Sequence, residues 1–290
     1  MKSVATERVQ LVFRKLDRDL VKLESKQTAA SVHNFRTGAS RLQTLFDQLL
    51  PERNRNQKKL GKMLRRLRKR AGGIRDLDVQ LAALRSLKVS QEPRRKTQLM
   101  QTLIELRAKD EMKLRKELTK ETVRELRRRL KRAGKVLALD ELRDPLQTAE
   151  QMLSQAAPPD GPITEEQLHR QRIVTKHARY VAEFAPKSAQ ADQLIAQLKR
   201  VQAALGDWHD WLLLTQTSTS RLGDIHQSPL VAVLHNLTGT KFRRAVSALP
   251  VGPNTFRQNA KRSPARKPEM GTRKQDIDSS ASSAPAISAA

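Results

Sequence analysis

The residues best suited to chemistry in this sequence are four basic side chains within Leu168–Tyr180. They are His169, Arg172, Lys176 and Arg179, at intervals of three, four and three residues. On an α-helix this spacing places all four on one face, with neighbouring side chains roughly 5–6 Å apart. Like charges at that distance repel, and each pair costs roughly 0.2–0.5 kcal/mol. A helix that carries this cost is expected to bring an anion to that face.

A second, weaker copy of this pattern lies earlier in the chain, within Val32–Leu45. His33 and Arg36 occupy the positions of the first two basic residues of the later helix. Ser40 stands where the later helix has a lysine, but Arg41 supplies a neighbouring cation. A solvated basic face is the usual explanation for one such helix. The repetition favours a shared anion-binding role for both.

A strongly basic segment follows the first copy. Residues 53–75 contain eleven Lys or Arg and no acid. Apolar residues recur there with helical spacing and predict one buried face, with cations on the opposite side. We expect Lys62, Arg66 and Lys69 to widen a basic wall around the bound anion.

Two carboxylates follow this segment in Arg75-Asp76-Leu77-Asp78. In so basic a region they could orient arginines or ligate a metal. Orientation is favoured because a carboxylate matches the planar fork of a guanidinium. Gly206-Asp207-Trp208-His209-Asp210 holds roughly the same place after the second His/Arg helix. The two corresponding intervals, 45 residues from His33 to Asp78 and 41 from His169 to Asp210, indicate an internal duplication.

The amino-acid composition restricts the chemical class of partner that the protein can bind. The chain has 57 Lys and Arg against 30 Asp and Glu, a formal net charge of +27, which predicts a polyanion: nucleic acid, an inorganic phosphate chain or an anionic membrane. Aromatic residues are only 3%, which disfavours stacking on single-stranded nucleic acid. The absence of cysteine excludes disulfides and thiolate zinc sites. Without a signal-peptide pattern or a long apolar run, we expect a soluble cytoplasmic protein.

Apolar residues with a helical period predict an all-α fold. Ser31 is the predicted N-cap of the second helix, Gly72 and Gly73 are expected to weaken the third, and Thr164-Glu165-Glu166-Gln167 is a capping-box pattern. We predict one helical domain over residues 5–248, with halves at about 5–140 and 141–248. Residues 251–290, rich in Pro, Ser, Ala and basic residues, are predicted to form a disordered tail.

Together these motifs resemble the CHAD family, the conserved histidine α-helical domain, over about residues 5–248. The family alternates a His/Arg helix with a basic helix and an RDLDV-like or LGxxND-like segment, twice. The resemblance implies two four-helix bundles, related by pseudo-twofold symmetry, around a basic cavity that binds inorganic polyphosphate, often at polyphosphate granules. Our hypothesis is that His33 and His169 face each other across this cavity and clamp phosphates together with Arg36, Arg172, Lys176 and Arg179. The implied binding residues are His33, Arg36, Arg41, Lys62, Arg66, Lys69, Arg75, His169, Arg172, Lys176, Arg179 and Tyr180.

Some CHAD proteins carry an upstream triphosphate-tunnel domain with an ExExK motif. None precedes Ser31 here, so we expect a stand-alone domain with no catalytic residue, no metal site and no cofactor. His209-Asp210 resembles the pair of a metal phosphohydrolase, but further ligands at helical spacing are missing. The alternative to polyphosphate is duplex nucleic acid, bound through its phosphates without sequence reading.

Overall fold

The computed structural model describes residues 4–88, 92–137, 142–157 and 161–250; the predicted disorder of 251–290 lies outside these ranges. Within them the chain forms nine α-helices and one short π-helical segment, with no strand, which confirms the all-α prediction. The α-helices are α1 Val4–Ser25, α2 Ala29–Thr44, α3 Arg55–Ser86, α4 Pro93–Glu117, α5 Lys120–Val136, α6 Pro145–Gln155, α7 Glu165–Ala182, α8 Ala189–Leu222 and α9 Pro229–Ser247; the π-helical segment Leu45–Leu49 continues α2.

Side-chain caps determine where the two His/Arg helices begin. Before α7, the Thr164 hydroxyl accepts the Gln167 N–H, and the Gln167 side chain accepts the Thr164 N–H, as the capping-box pattern predicts. The predicted cap of α2 was wrong. Thr28 caps this helix by accepting the Ser31 N–H, whereas the Ser31 hydroxyl donates to the carbonyl of Lys26. The helix therefore begins two residues before Ser31.

The glycine pair of α3 does not interrupt the helix, which runs unbroken for 32 residues. A Cβ at Gly72 would lie 3.8 Å from Nε of Arg36, and a Cβ at Gly73 would lie 2.6 Å from Oδ2 of Asp110. The distance at Gly72 is an ordinary van der Waals contact, whereas a side chain at Gly73 would require the Asp110 side chain of α4 to move. The helix thus continues through both glycines despite their low helix propensity.

Three clusters of buried apolar side chains hold the helices together. The largest joins α1, α2, α3 and α5 and extends to α6, α7 and α8, with Phe35, Leu42 and Leu64 fully buried. A second cluster lies between α3, α4, α8 and α9, and a third joins α7 to α8 and α9 around the fully buried Trp208. Burial of these side chains fixes α2, α3, α7 and α8 relative to one another.

The order of helix packing repeats along the chain. In the first half α1 packs on α2, α2 on α3 and α3 on α4; in the second, α6 packs on α7, α7 on α8 and α8 on α9. Counterparts also meet, α2 with α7 and α3 with α8. At the start of α4, the Glu92 carboxylate accepts the Ser228 hydroxyl at 2.8 Å and the Leu230 N–H at 3.1 Å, beside the start of α9. The repeated order of helix packing agrees with an internal repeat. It is consistent with two related bundles, but the bundle arrangement itself stays a prediction.

Helix α5 packs on α1 and α3 and has no counterpart among α6–α9. Among the described helices, none combines the length and the hydropathy that a membrane crossing requires.

Candidate anion-binding site

Four cations from three helices lie close together, and three of them lower the pKa of the fourth, Lys176. We call Arg36 of α2, Arg68 of α3 and Arg172 and Lys176 of α7 the cationic cluster. Burial, together with the charges of Arg172, Arg36 and Arg68, lowers the pKa of Lys176 to about 8. Burial and neighbouring arginines also lower the pKa of Arg172 and of Arg68. All four side chains are only partly exposed, so water compensates their charges incompletely.

Two carboxylates lie among these cations. Asp76 of α3 is 3.4 Å from Nη1 of Arg36, which confirms the prediction that it orients an arginine. Asp78 also orients an arginine, but this is Arg107 of α4, at 2.7 Å, outside the cluster. Burial raises the pKa of Asp76, against the opposing effect of Arg36. The second carboxylate is Asp210 of α8, on which the charges of Arg172 and Arg36 act. Within the described residues no group of three or more His, Asp or Glu is placed to hold a metal ion.

His169 of α7 contacts a histidine that the sequence analysis did not include in the site. Its ring centroid lies 5.1 Å from that of His209 on α8. Burial, together with the charge of Arg172, lowers the pKa of His209 to about 3, so His209 is neutral at physiological pH. Its Nδ1 is buried and makes no hydrogen bond within the described part of the chain.

His33 lies in the corresponding part of the first half. Burial lowers its pKa, with added contributions from Arg75, Arg36 and Arg41. His33 and Arg75, both among the predicted binding residues, are thus neighbours. Each of the two predicted binding histidines has its own neighbours, and the clamp between His33 and His169 stays a prediction.

Arg41 and Arg179 meet at a shared carboxylate. Nε of Arg41 donates to Glu183 at 2.8 Å, Arg179 donates to the same carboxylate, and Nε of Arg179 donates to Gln202 at 2.6 Å. Both guanidinium groups also contact the ring of Tyr180, at 5.3 and 4.7 Å from its centroid. These three predicted binding residues therefore form a cluster that joins α2, α7 and α8. Glu183 offsets part of its positive charge.

The predicted basic wall on α3 has a different composition. Arg66 is 73% exposed and pairs with Glu117 of α4 at 2.9 Å, and Lys62 and Lys69 are exposed. Arg68, which the sequence analysis missed, is the α3 arginine that acts on Lys176. It precedes Gly72 and Asp76 at intervals of four, so these residues share the helix face that meets Arg36. That spacing could have identified it.

Two cavities lie outside the cationic cluster or at its edge. A polar cavity of about 70 Å³ adjoins Arg68 and is lined by residues that include Ser40, Gln43 and His177. Burial lowers the pKa of His177 to about 4, with help from Lys176. A larger groove of about 920 Å³ lies between α1 and α5. None of the predicted binding residues lines that groove, so its size does not make it the candidate site.

The fold and the site define an all-helical domain with a partly buried cluster of Arg, Lys and His. The sequence matches the CHAD domain family over residues 7–218, and the chain belongs to this family. The crystal structure of the CHAD domain from the plant Ricinus communis has a similar fold, with a TM-score of 0.61 and 18% identity, covering 91% of this chain and 93% of that chain. A comparison with curated proteins finds no significant match.

Proposed function

We propose that the protein binds inorganic polyphosphate through the cationic cluster. The observation that carries this proposal is the environment of Lys176, a partly buried lysine whose pKa is lowered to about 8 by burial and by the charges of Arg172, Arg36 and Arg68, so the positive charge gathered there is incompletely compensated. A bound polyanion would supply the missing negative charge. Membership of the CHAD family, which is linked to polyphosphate binding, supports the same ligand.

The side-chain types suit a phosphate chain. Polyphosphate carries about one negative charge per unit and presents no sequence, so it needs many phosphate contacts and no base recognition. Arginine offers a planar fork of donors and lysine a point charge, and both bind phosphate oxygens. Histidine donates from both ring nitrogens only when protonated, a form that a nearby phosphate favours. We assign Arg36, Arg68, Arg172 and Lys176 as the central ligands, with His33 and His169 beside them.

The remaining predicted residues have a peripheral part in this proposal. Arg41, Arg179 and Tyr180 support the site through Glu183, and Arg75 extends it toward His33. Lys62, Arg66 and Lys69 contribute long-range attraction from the exposed surface of α3. We also propose association with polyphosphate granules in the cytoplasm, where the polymer is concentrated.

The proposed activity is binding without bond cleavage. Release of orthophosphate from polyphosphate by the purified protein, with or without divalent metal, would contradict this part of the proposal.

The second candidate is non-specific binding of duplex nucleic acid. The observation that favours it is the number of exposed cations on α3, including Lys58, Lys59 and Lys69, outside the cationic cluster. Such a surface attracts any phosphate backbone. A duplex, however, is a rigid helix much wider than a single phosphate chain and reaches the partly buried cations of α2, α3 and α7 less easily.

A competition experiment separates the two ligands. Labelled long-chain polyphosphate is bound to the full chain near physiological salt and challenged with duplex DNA at equal phosphate concentration. We expect unlabelled polyphosphate to displace the label and DNA to leave most of it bound. Displacement by DNA to the same extent would overturn the preference for polyphosphate.

A further inference from the structure

Asp76, 43 residues after His33, matches Asp210, 41 residues after His169, more closely in the internal repeat than Asp78 does. Each follows a glycine by four residues, Gly72 in α3 and Gly206 in α8, and each comes directly after a basic or histidine residue. The two helices are counterparts and pack on each other. Two acids at matched positions, in a protein with a net charge of +27, call for an explanation.

The surroundings of Asp76 are mainly cationic. Arg36 of α2 lies 3.4 Å from its carboxylate, and the charges of Arg172 and Lys176 of α7 and of Arg75 on its own helix also act on it. Burial nevertheless outweighs these charges and raises the pKa of Asp76 above its ordinary value.

Asp210 faces the same groups from α8. Burial, together with the negative charge of Asp76, raises its pKa to about 6. Arg172 of α7, Arg75 of α3 and Arg36 of α2 oppose it. The two carboxylates therefore share one set of arginines and repel each other.

A phosphate chain that binds Arg36 and Arg172 has to approach these carboxylates. The incoming negative charge disfavours their ionised form, so each carboxylate either moves away from its arginine or takes up a proton. In the empty site the same carboxylates offset part of the positive charge that the arginines would otherwise hold without compensation.

We propose that Asp76 and Asp210 are internal counter-anions of the cationic cluster, which compete with phosphate for Arg36 and Arg172 and make polyphosphate binding tighter in more acidic solution. This inference rests on the proposed function, because it concerns regulation of the same site. The carboxylates limit affinity at neutral pH and lose that effect when they are protonated.

The sign of the pH dependence follows from linkage. A bound polyanion raises the pKa of Asp210 above the value of about 6 that it has in the empty site, so binding is coupled to proton uptake. Affinity is then lowest at alkaline pH, rises as pH falls toward about 6, and levels off once Asp210 is protonated in the free protein as well. The histidines of the site also gain charge as pH falls, so the wild-type profile alone does not isolate the carboxylates.

Asparagine variants of the two aspartates separate the effect of the carboxylates from that of the histidines. Polyphosphate affinity is measured between pH 5.5 and 8.5 for the wild type, Asp76→Asn, Asp210→Asn and the control Asp207→Asn. Asp207 lies on α8 one turn before Asp210 but pairs with Lys241 of α9 at 2.8 Å, so its loss changes net charge equally without touching the cluster. Near pH 7.5 we expect Asp76→Asn and Asp210→Asn to bind about three- to tenfold tighter than the wild type, and Asp207→Asn to stay within about twofold. The proton uptake measured by calorimetry in buffers of different ionisation enthalpy should fall in Asp210→Asn.

If the wild type binds polyphosphate while Asp76→Asn and Asp210→Asn bind no tighter than Asp207→Asn, the inference is wrong, and the carboxylates only position the arginines. Thermal melts by circular dichroism verify that each variant folds. If one asparagine variant does not fold, the affinity of the other variant tests the inference.

A readout that needs no polyphosphate separates this failure from failure of the proposed function. The Asp210 carboxyl carbon is titrated by NMR with and without sulfate. An upward shift of its pKa by sulfate supports the counter-anion role even if polyphosphate does not bind. If sulfate causes no shift at concentrations that saturate other NMR changes in the cluster, the inference is overturned.

Discussion

Lys176 carries a charge that costs folding free energy in the empty site. Its pKa in the folded protein, about 8, lies below the ordinary value of 10.5, so the charge opposes folding below pH 8. This cost fades as pH rises from about 8 to 10.5, where the unfolded chain also loses the proton. Residues kept at such a cost are typical of functional sites.

We expect Lys176→Met to raise the free energy of unfolding by about 1–2 kcal/mol at pH 7 and to weaken polyphosphate binding. Urea denaturation between pH 7 and 10.5 measures the first effect, and the difference from the wild type should shrink as pH rises. Lys199→Met, at an exposed position of α8, is the control and should change neither quantity. A less stable Lys176→Met variant would show that the lysine supports the fold.

Arg172 is the cation on which the site depends most, because it acts on Lys176, His209 and Asp210 together. We expect Arg172→Ala to lose about 1.5–3 kcal/mol of binding free energy for polyphosphate, which makes the dissociation constant roughly 10- to 150-fold larger. Helicity should be unchanged.

The matched control is Arg170→Ala on the same helix. Arg170 is 69% exposed and pairs with Glu166, so its loss removes the same charge from the outer face of α7. Equal losses of affinity in the two variants would mean that overall charge, and not the cluster, binds the ligand. Unfolding of Arg172→Ala alone would make that arginine structural.

At the scale of elements, the site depends on α7 starting at the right residue. The capping box of Thr164 and Gln167 places His169 in the second turn and Arg172 one turn later. Loss of an N-cap hydroxyl typically costs about 1 kcal/mol and frays the first turn.

We therefore expect Thr164→Ala to lower the free energy of unfolding by about 1 kcal/mol and to weaken polyphosphate binding moderately. Thr119→Ala removes the corresponding cap of α5, whose hydroxyl accepts the Thr122 N–H at 3.2 Å. It should cost similar stability, measured by thermal and urea unfolding, and leave binding unchanged. The same loss of affinity in both variants would indicate a general effect of destabilisation.

For the whole molecule, the net charge of +27 predicts binding that depends strongly on ionic strength. The logarithm of the polyphosphate association constant should fall linearly with the logarithm of salt concentration. Arg172→Ala should reduce the magnitude of this slope by about one, as the loss of one phosphate contact does in nucleic-acid binding. Fluorescence titrations at four salt concentrations measure both slopes. Affinity that does not change with salt would contradict an electrostatic site.

Local sequence was sufficient for the helices and for the repeat. The 3.6-residue period, the Thr164 capping box and the prolines that open α4, α6 and α9 act within a few residues, so the sequence determined an all-helical chain with two His/Arg helices. Prediction from local sequence failed where two nearby residues could both cap a helix, as with Thr28 and Ser31 at the start of α2.

Only the tertiary structure decided which cations share a site. Arg68 and Arg66 lie two residues apart on α3, and the rotation of that helix sends one toward Lys176 and the other to Glu117. Arg41 and Arg179 meet Glu183 because α2 packs on α7. The period of a helix fixes the faces of its residues, but the neighbour that each face meets depends on apolar packing between segments far apart in the chain.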